Sequence, residues 1–201
     1  MDSKKEQIIQ TALKRFSHYG FDKTTMSEIA VDMNITKANL YYYYPDKNSL
    51  VKDVMTYISQ ESLKQQDAIV NEYDGDLLET LYKILEFRAE RLRHYYVLHI
   101  HKNMEWIKGQ GVASILEEFY HRDIDMMKEL FGRAVYCGEI NFDSIEDAAT
   151  SYVEIMEGLT LIRSVADMFL GMPNAGNVEE ILKSQKKAIK FIFNNKTIHE
   201  N

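Results

Sequence analysis

The strongest constraint on the fold is a dense series of helix start and stop signals between Gly20 and Pro45. Thr25-Met26-Ser27-Glu28 has the capping-box pattern, in which the threonine accepts from a backbone N–H three residues on and the glutamate reaches back. Asn34 suits a turn with positive φ, Thr36 suits a second N-cap, and Pro45 stops the helix before it. The pattern predicts two short helices joined by a tight turn.

Apolar periodicity on both sides of this segment predicts further helices. The first runs from about Lys4 to His18, with apolar residues at helical spacing along one side, and Gly20 is suited to end it. The two short helices cover Met26 to Met33 and the residues from the Thr36 cap to about Tyr43. A fourth helix begins at Asp46 and runs to around Val70.

The remainder of the chain is also predicted to be helical. Only two prolines and nine glycines interrupt 201 residues, which favours long helices over a many-stranded sheet. The predicted helices lie near residues 76–94, 96–108, 111–137, 144–170 and 177–195. We therefore expect an all-α fold.

The net charge of −7 is unevenly distributed. Residues 1–50 hold seven Lys/Arg and six Asp/Glu, so nearly all of the acidity lies beyond them and leaves the N-terminal surface free to approach phosphates. No stretch reaches the roughly 18 apolar residues that span a bilayer, and the N-terminal residues lack a signal-peptide core. A single cysteine suits a reducing compartment. We expect a cytoplasmic protein with no membrane association.

Four consecutive tyrosines follow Leu40, and they cannot all share one environment. At about 100° per residue, Tyr44 lies about 40° from Leu40, so this pair defines the buried side of the helix. Tyr42 and Asn39 lie on the opposite side, where the second helix of a helix-turn-helix meets base edges in the major groove. The alternative is that the tyrosines are simply core packing, but burial of Tyr42 would need a second covering layer.

Other residues of this segment suit supporting contacts to a duplex. Small Ala38 would let the backbone approach closely and touch a thymine methyl, while Tyr41 and Tyr43 flank the groove-facing side and suit the sugar-phosphate walls. The hydroxyls at the start of the second helix suit a phosphate. The full set of candidate DNA contacts is Thr25, Ser27, Lys37, Ala38, Asn39, Tyr41, Tyr42, Tyr43 and Lys47.

Residues 8–55 resemble the DNA-binding domain of the tetracycline-repressor (TetR) family of bacterial transcription regulators. Three positions depart from the family pattern: Ala38 and Asn34 stand where glycine is common, and Tyr44 replaces the commoner phenylalanine. The residues that carry the resemblance are Ile9, Ala12, Phe16, Gly20, Phe21, Thr24-Thr25-Met26, Ile29-Ala30, Ile35-Thr36-Lys37, Leu40-Tyr41, Tyr44, Lys47 and Leu50.

The resemblance implies a domain organisation and a function. We expect a three-helix helix-turn-helix DNA-binding domain at residues 1–48 and a larger helical effector-binding and dimerisation domain at 49–201. The resemblance also implies that the candidate DNA contacts above approach the duplex. The protein is then expected to be a sequence-specific repressor that a small-molecule effector releases from its operator. The alternative is a regulator of the same fold without such an effector, acting as an activator or through a protein partner.

A homodimer is expected from two observations. One recognition helix makes few base contacts, whereas a symmetric dimer reads a palindromic operator with double the contacts. The last two predicted helices, near 144–170 and 177–195, carry apolar residues over wide arcs that one domain surface rarely covers. The family resemblance implies that these two helices form the interface.

The middle helices hold the expected effector cavity, again by resemblance. Aromatic and methionine side chains there suit an apolar or aromatic effector, although such stripes are more often core than pocket. The candidates for the lining are Phe87, Tyr95, Tyr96, Met104, Trp106, Phe119, Tyr120, Met126 and Met127.

Other kinds of site are disfavoured. His94, His101 and Glu105 share a helical face, but their spacing is common on exposed helices, and we expect no metal and no cofactor. Cys137 is expected to be a buried thiol rather than a redox sensor. The chain lacks a nucleophile elbow, a phosphate loop, a dinucleotide fingerprint and an HExxH motif, so we expect no enzymatic activity.

Overall fold

The computed structural model describes residues 3–95, 112–170 and 176–193, and the side chains within these ranges except at 112–115 and 164–170. The described residues form eight helices and no strand, which confirms the all-α prediction. The helices are α1 (Ser3–Lys23), α2 (Met26–Asp32), α3 (Lys37–Tyr43), α4 (Lys47–Asn71), α5 (Leu77–His94), α6 (Val112–Tyr136), α7 (Ile145–Leu170) and α8 (Gly176–Phe193).

The chain divides into two compact units, each with its own hydrophobic core. Unit 1 takes in the described residues of Met1–Ser62 and His94–Ile115, and unit 2 takes in those of Leu63–Arg93 and Leu116–Asn201. Helix α4 contributes its first part to unit 1 and its remainder to unit 2. No helix among the described residues is long and apolar enough to cross a membrane.

The core of unit 1 forms where α1 packs against the short helices. Phe16 and Phe21 lie fully buried with ring centroids 5.1 Å apart, in an edge-to-face arrangement. Gly20 between them has φ 82° and ψ 168°, which a side chain would disfavour, so α1 kinks there and continues to Lys23 instead of ending near His18. The kink is what allows Phe21 to turn back onto Phe16.

The residues predicted to form caps and turns between α1 and α4 adopt their predicted roles. The Thr25 hydroxyl accepts from the Glu28 N–H (3.3 Å), and the Glu28 carboxylate accepts from the Thr25 N–H (2.8 Å), which completes the capping box of α2. Asn34 has φ 54° in the turn, and the Thr36 hydroxyl accepts from the N–H of Asn39 at the start of α3. At the start of α4, Asp46 accepts from the N–H of Ser49.

The core of unit 2 brings together α5, α6, α7 and α8. Phe131 lies at its centre, and its ring centroid is 5.0 Å from that of Phe142, 5.7 Å from that of Tyr152 and 5.9 Å from that of Phe193. Aromatic rings at such separations add to the free energy gained by burying their area. The result is a densely filled centre that holds these helices together.

The C-terminal end of α6 corrects one prediction. Cys137 is exposed rather than buried, because it lies after the last helical turn, where Gly138 (φ 76°) reverses the chain. Glu139 then returns to the start of α5, where it accepts from the Leu77 N–H (2.8 Å) and from the Tyr73 hydroxyl (2.6 Å).

Some predictions fall outside the described residues. These are the helix near 96–108, the effector candidates Tyr96, Met104 and Trp106, and the metal candidates His101 and Glu105.

Candidate nucleic-acid interface

The recognition-helix candidate, α3, is positioned by its buried residues. Leu40 is fully buried and Tyr44 is 2% exposed, as the angular pattern predicts. The Tyr44 ring fills the core of unit 1 while its hydroxyl donates to the Asp53 carboxylate (3.0 Å) on α4. Burial raises the pKa of the Tyr44 phenol, and the bond to Asp53 raises it further. This bond ties the end of α3 to the first turns of α4.

The opposite side of α3 faces solvent. Tyr42 is 83% exposed and Asn39 is also exposed, so both side chains are free to meet another surface. A tyrosine ring exposed to this extent can pack against a partner surface while its hydroxyl forms a hydrogen bond there. The Tyr43 ring packs edge-on against Tyr42 (5.2 Å between centroids) and limits how far Tyr42 can swing.

The flanks of α3 carry a cation and a phenol. The Lys37 ammonium lies over the Tyr41 ring, 5.6 Å from its centroid, so the two side chains form one amphipathic patch beside the groove-facing residues. Tyr41 is 39% exposed, whereas Tyr43 is half-buried against the core. Ala38 is exposed and leaves the backbone of the first turn of α3 open to close approach.

The two hydroxyls at the start of α2, those of Ser27 and Thr25, differ in whether they are free to donate to a phosphate. Ser27 is exposed. The Thr25 hydroxyl is also exposed, but it donates to the Glu28 carboxylate (2.8 Å), whose pKa is lowered by the bonds from Thr25. A phosphate can therefore take the Thr25 hydroxyl only by displacing Glu28.

Lys47 lies half-buried at the start of α4. Burial lowers the pKa of its ammonium group, and Asp22 and Glu28 partly offset that effect. A cation in such surroundings gains more from an added phosphate than a fully solvated one does. Of the two candidate lysines, Lys47 is thus less hydrated than Lys37, which is exposed.

An unpredicted ion pair fixes α2 against α1. Arg15 donates through two nitrogens to the Asp32 carboxylate, and its third nitrogen lies 3.5 Å from Glu28. The bond from Arg15 lowers the pKa of Asp32. Arg15 and Asp32 are 17 residues apart, so helical periodicity gives no signal that they form a pair.

The described effector candidates are distributed over both units. Met126 and Met127 lie buried in the unit 2 core, and Tyr120 packs at its edge with its hydroxyl donating to Glu154 (3.1 Å). Phe87 and Phe119 are half-buried. Tyr95 belongs to unit 1, where it packs against the core of that unit.

Sequence reasoning missed a polar cluster within the helices of unit 2. Arg88 of α5 lies 2.9 Å from the Asp123 carboxylate of α6 and donates through Nε to Gln66 of α4. Tyr152 and Glu157 of α7 interact electrostatically with the same charges. A signal was present, because Arg88 falls on the apolar stripe of its helix, one turn beyond the buried Ile84 and Leu85.

Comparison with known proteins places the chain in a family. Residues 8–54 match the model of the bacterial regulatory proteins of the TetR family. A relative from Staphylococcus aureus (strain Newman), the biofilm operon icaADBC HTH-type negative transcriptional regulator IcaR, is 33% identical over 142 residues, covering 63% of this chain and 75% of the relative. The HTH-type regulator YuxN of Bacillus subtilis is 39% identical over 57 residues, covering 28% of this chain and 20% of its own.

A solved structure extends the similarity to the whole fold. The crystal structure of a transcriptional regulator from Cytophaga hutchinsonii superposes with a TM-score of 0.85 at 26% identity and covers 98% of this chain and 100% of its own. The chain belongs to the TetR family, and it is therefore a transcriptional regulator and not an enzyme. Regulators of this family bind DNA and usually form dimers.

Proposed function

We propose that the protein is a homodimeric repressor that reads a palindromic operator through α3 and leaves it when a small-molecule effector binds unit 2. The observation that carries the DNA-binding part is the division of α3 into a buried side, anchored by Leu40 and Tyr44, and an outward side that presents Asn39 and Tyr42. The negative sign of regulation is supported by the S. aureus relative IcaR, which is a negative transcriptional regulator.

The residues divide by the part of the duplex they would contact. Tyr42 and Asn39 meet base edges, with Ala38 allowing close approach. Lys37 and Lys47 pair with phosphates and so supply affinity that falls as salt rises. Tyr41, Tyr43, Ser27 and Thr25 serve as contacts to the backbone walls, Thr25 only after its hydroxyl leaves Glu28.

Dimerisation is supported by apolar side chains left uncovered on the last two helices. On α7, Ile155 and Ile162 are two turns apart on one face and are 41% and 68% exposed. On α8, Phe191 is 86% exposed. Apolar groups exposed in this density mark interfaces, because each gains free energy on leaving water. The interface would set the separation of the two recognition helices to about one turn of B-DNA, or a multiple of it.

Coupling between effector and operator would run through α4. At its start, Asp53 holds the end of α3 through Tyr44. Further along, Gln66 is held by Arg88, and the last turn is held by Arg133, which donates to the carbonyl of Val70 (3.1 Å). A ligand that moves α5 or α6 relative to α4 therefore acts on the helix that carries α3.

Reciprocal binding measurements test the mechanism. Operator duplexes would first be selected from a random library with the full-length protein, and effectors would be screened by loss of the complex. Linkage requires that an effector weakens operator binding by the same factor by which operator weakens effector binding. Tight effector binding with unchanged operator affinity would contradict release, and would favour the alternative of a regulator controlled through a protein partner.

A further inference from the structure

A groove alongside α1 in unit 1 is separate from the proposed DNA contacts, none of which lines it. It has a volume of about 1170 Å³, and its described lining belongs entirely to unit 1. Most of that lining comes from α1, and the end of α2 and the pair His94-Tyr95 complete it. Sites for small molecules commonly measure roughly 300–1,000 Å³. The groove can therefore admit a small molecule together with some water.

The lining of the groove is cationic, although the whole chain carries a net charge of −7. Its described side chains include three Lys/Arg and one Asp, which leaves an excess of two positive charges. Arg15 and Asp32 compensate one another through two hydrogen bonds. The excess is therefore carried by Lys4 and Lys14, and the exposed side chain of Lys14 is within reach of a ligand.

Two histidines add hydrogen-bond donors to the same groove from different helices. His18 of α1 packs edge-on against Tyr19, with 4.5 Å between ring centroids. His94 at the end of α5 packs in the same way against Tyr95, with 4.6 Å between centroids. Both imidazoles are exposed, and each has an N–H that can donate to an acceptor such as a carboxylate. The ring contacts restrict how far these donors rotate.

Ser17 supplies an independent indication of a missing partner. It lines the groove and is half-buried, and its Oγ is shielded from solvent. Within the described part of the chain this hydroxyl has no hydrogen-bond partner. An unpaired buried hydroxyl costs stability, so native proteins seldom retain one without a use. Rotation about a single side-chain bond moves a serine hydroxyl between staggered positions, which lets it turn to a ligand.

Part of the lining is apolar. Leu13 and Met33 pack against the core of unit 1 and also line the groove. An apolar group that covers them gains free energy by removing their exposed carbon from water. A phosphate-sugar backbone would leave this apolar strip uncovered, so the lining favours a small organic molecule over a nucleic acid.

We infer that the groove alongside α1 binds a small organic anion with an apolar body. Its carboxylate accepts from Lys14 and from an imidazole N–H of His18 or His94, and its body covers the apolar strip. A cationic ligand is disfavoured by the excess of positive charge, because the carboxylate in the described lining, that of Asp32, is already held by Arg15. The site lies in unit 1, so it is additional to the effector site proposed in unit 2 and does not depend on it.

Three probes of matched shape test the class of ligand by calorimetry on the full-length protein at low salt. They are the anion phenylacetate, the neutral 2-phenylethanol and the cation 2-phenylethylammonium. An ion pair at a solvent-exposed site contributes up to about fivefold in affinity, so two such contacts should make the anion bind about tenfold more tightly than the alcohol. The net charge of −7 acts against the anion, so a non-specific effect of charge would give the opposite order. Equal binding of anion and alcohol, preference for the cation, or no binding of any probe at millimolar concentration would each overturn the inference.

Variants then locate the site. Lys14→Gln and His94→Gln should each weaken the binding of phenylacetate by about threefold or more and leave the affinity for 2-phenylethanol unchanged. Lys23→Gln removes an exposed cation of the same helix that does not line the groove, and this matched control should bind phenylacetate as the wild type does. Unchanged affinity for phenylacetate in both groove variants would contradict the site. Circular dichroism checks that all three variants fold.

Ser17→Ala separates a ligand contact from a packing defect. If the hydroxyl donates to the anion, the variant should bind phenylacetate about threefold or more weakly. Its melting temperature without ligand should not fall, because no hydrogen bond is lost. Unchanged affinity for phenylacetate would overturn the assignment of Ser17 to the site.

DNA titrations distinguish this site from a further contact to the duplex. The slope of log affinity against log salt should be the same for Lys14→Gln and the wild type, because the groove holds a small anion rather than a phosphate of DNA. A slope reduced by about one, with phenylacetate bound no better than the alcohol, would make the groove a DNA contact and overturn the inference. Binding of phenylacetate in the groove would stand even if no effector of unit 2 released the operator, so the two proposals can fail separately.

Discussion

The hydroxyl of Tyr44 offers the sharpest test of how α3 is held. Tyr44→Phe removes only the oxygen that donates to Asp53 (3.0 Å) and leaves the buried ring in place. A hydrogen bond to a charged group contributes about 1.5–3 kcal/mol to stability. Since Asp53 is half-buried, water can replace part of the lost bond, and we expect a loss of about 1–2 kcal/mol.

The loss is measurable as a change in melting temperature. For a chain of this size, about 1 kcal/mol corresponds to about 2–4 °C, so Tyr44→Phe should melt about 2–8 °C lower. Thermal unfolding would be followed by circular dichroism at fixed protein concentration, because the proposed dimerisation would make the midpoint depend on concentration. Tyr42→Phe is the control, since its hydroxyl lies on an 83% exposed side chain and should change the midpoint by under about 1 °C.

A double-mutant cycle attributes the effect to the bond itself. The free-energy changes of Tyr44→Phe and Asp53→Ala should fail to add by about 1 kcal/mol or more, because either change alone removes the same contact. Additive effects, or a Tyr44→Phe protein as stable as the wild type, would refute the view that this bond fixes α3 to α4.

Three further predictions concern phosphate contact, dimerisation and pH. Lys47→Ala should weaken binding to all duplexes and reduce the slope of log affinity against log salt by about one; an unchanged slope in fluorescence anisotropy titrations would exclude a phosphate contact. Ile162→Lys should give a monomer in analytical ultracentrifugation, whereas Tyr136→Lys, which changes a still more exposed side chain on α6 (92% against 68%), should remain dimeric. A dimer in both would place the interface elsewhere. The pKa of Glu157 is raised in the folded state, so its ionisation opposes folding as pH rises through that pKa. Glu157→Gln should therefore melt at nearly the same temperature as wild type at about pH 4 and at a higher temperature than wild type at about pH 8. The same difference in melting temperature at both pH values would contradict this prediction.

Much of unit 1 was predictable because its signals are local. The capping box at Thr25, the positive φ of Asn34 and the i,i+4 pair of Leu40 and Tyr44 each depend on residues within one helical turn. The kink at Gly20 was only half predicted, because the sequence shows a residue that permits positive φ but not that the helix resumes beyond it.

The polar contacts between helices were not predictable in the same way. Arg15 with Asp32 and Arg88 with Asp123 join residues that are distant in sequence, and their pairing depends on how the helices pack. Periodicity shows only that Arg88 falls on an apolar stripe. Periodicity also does not distinguish a buried core from the wall of a pocket. Met126 was a candidate for the lining of a cavity, and it lies buried in the core of unit 2.

The central claim is that the outward side of α3 reads bases, and Tyr42→Ala tests it most directly. The variant and the wild type would be titrated against a duplex selected from a random library and against a scrambled duplex of the same composition, at the same salt. The account predicts a loss of about 1–3 kcal/mol on the selected duplex and little change on the scrambled one. Equal losses on both duplexes would contradict base reading by Tyr42 and reduce it to a contact with the DNA backbone.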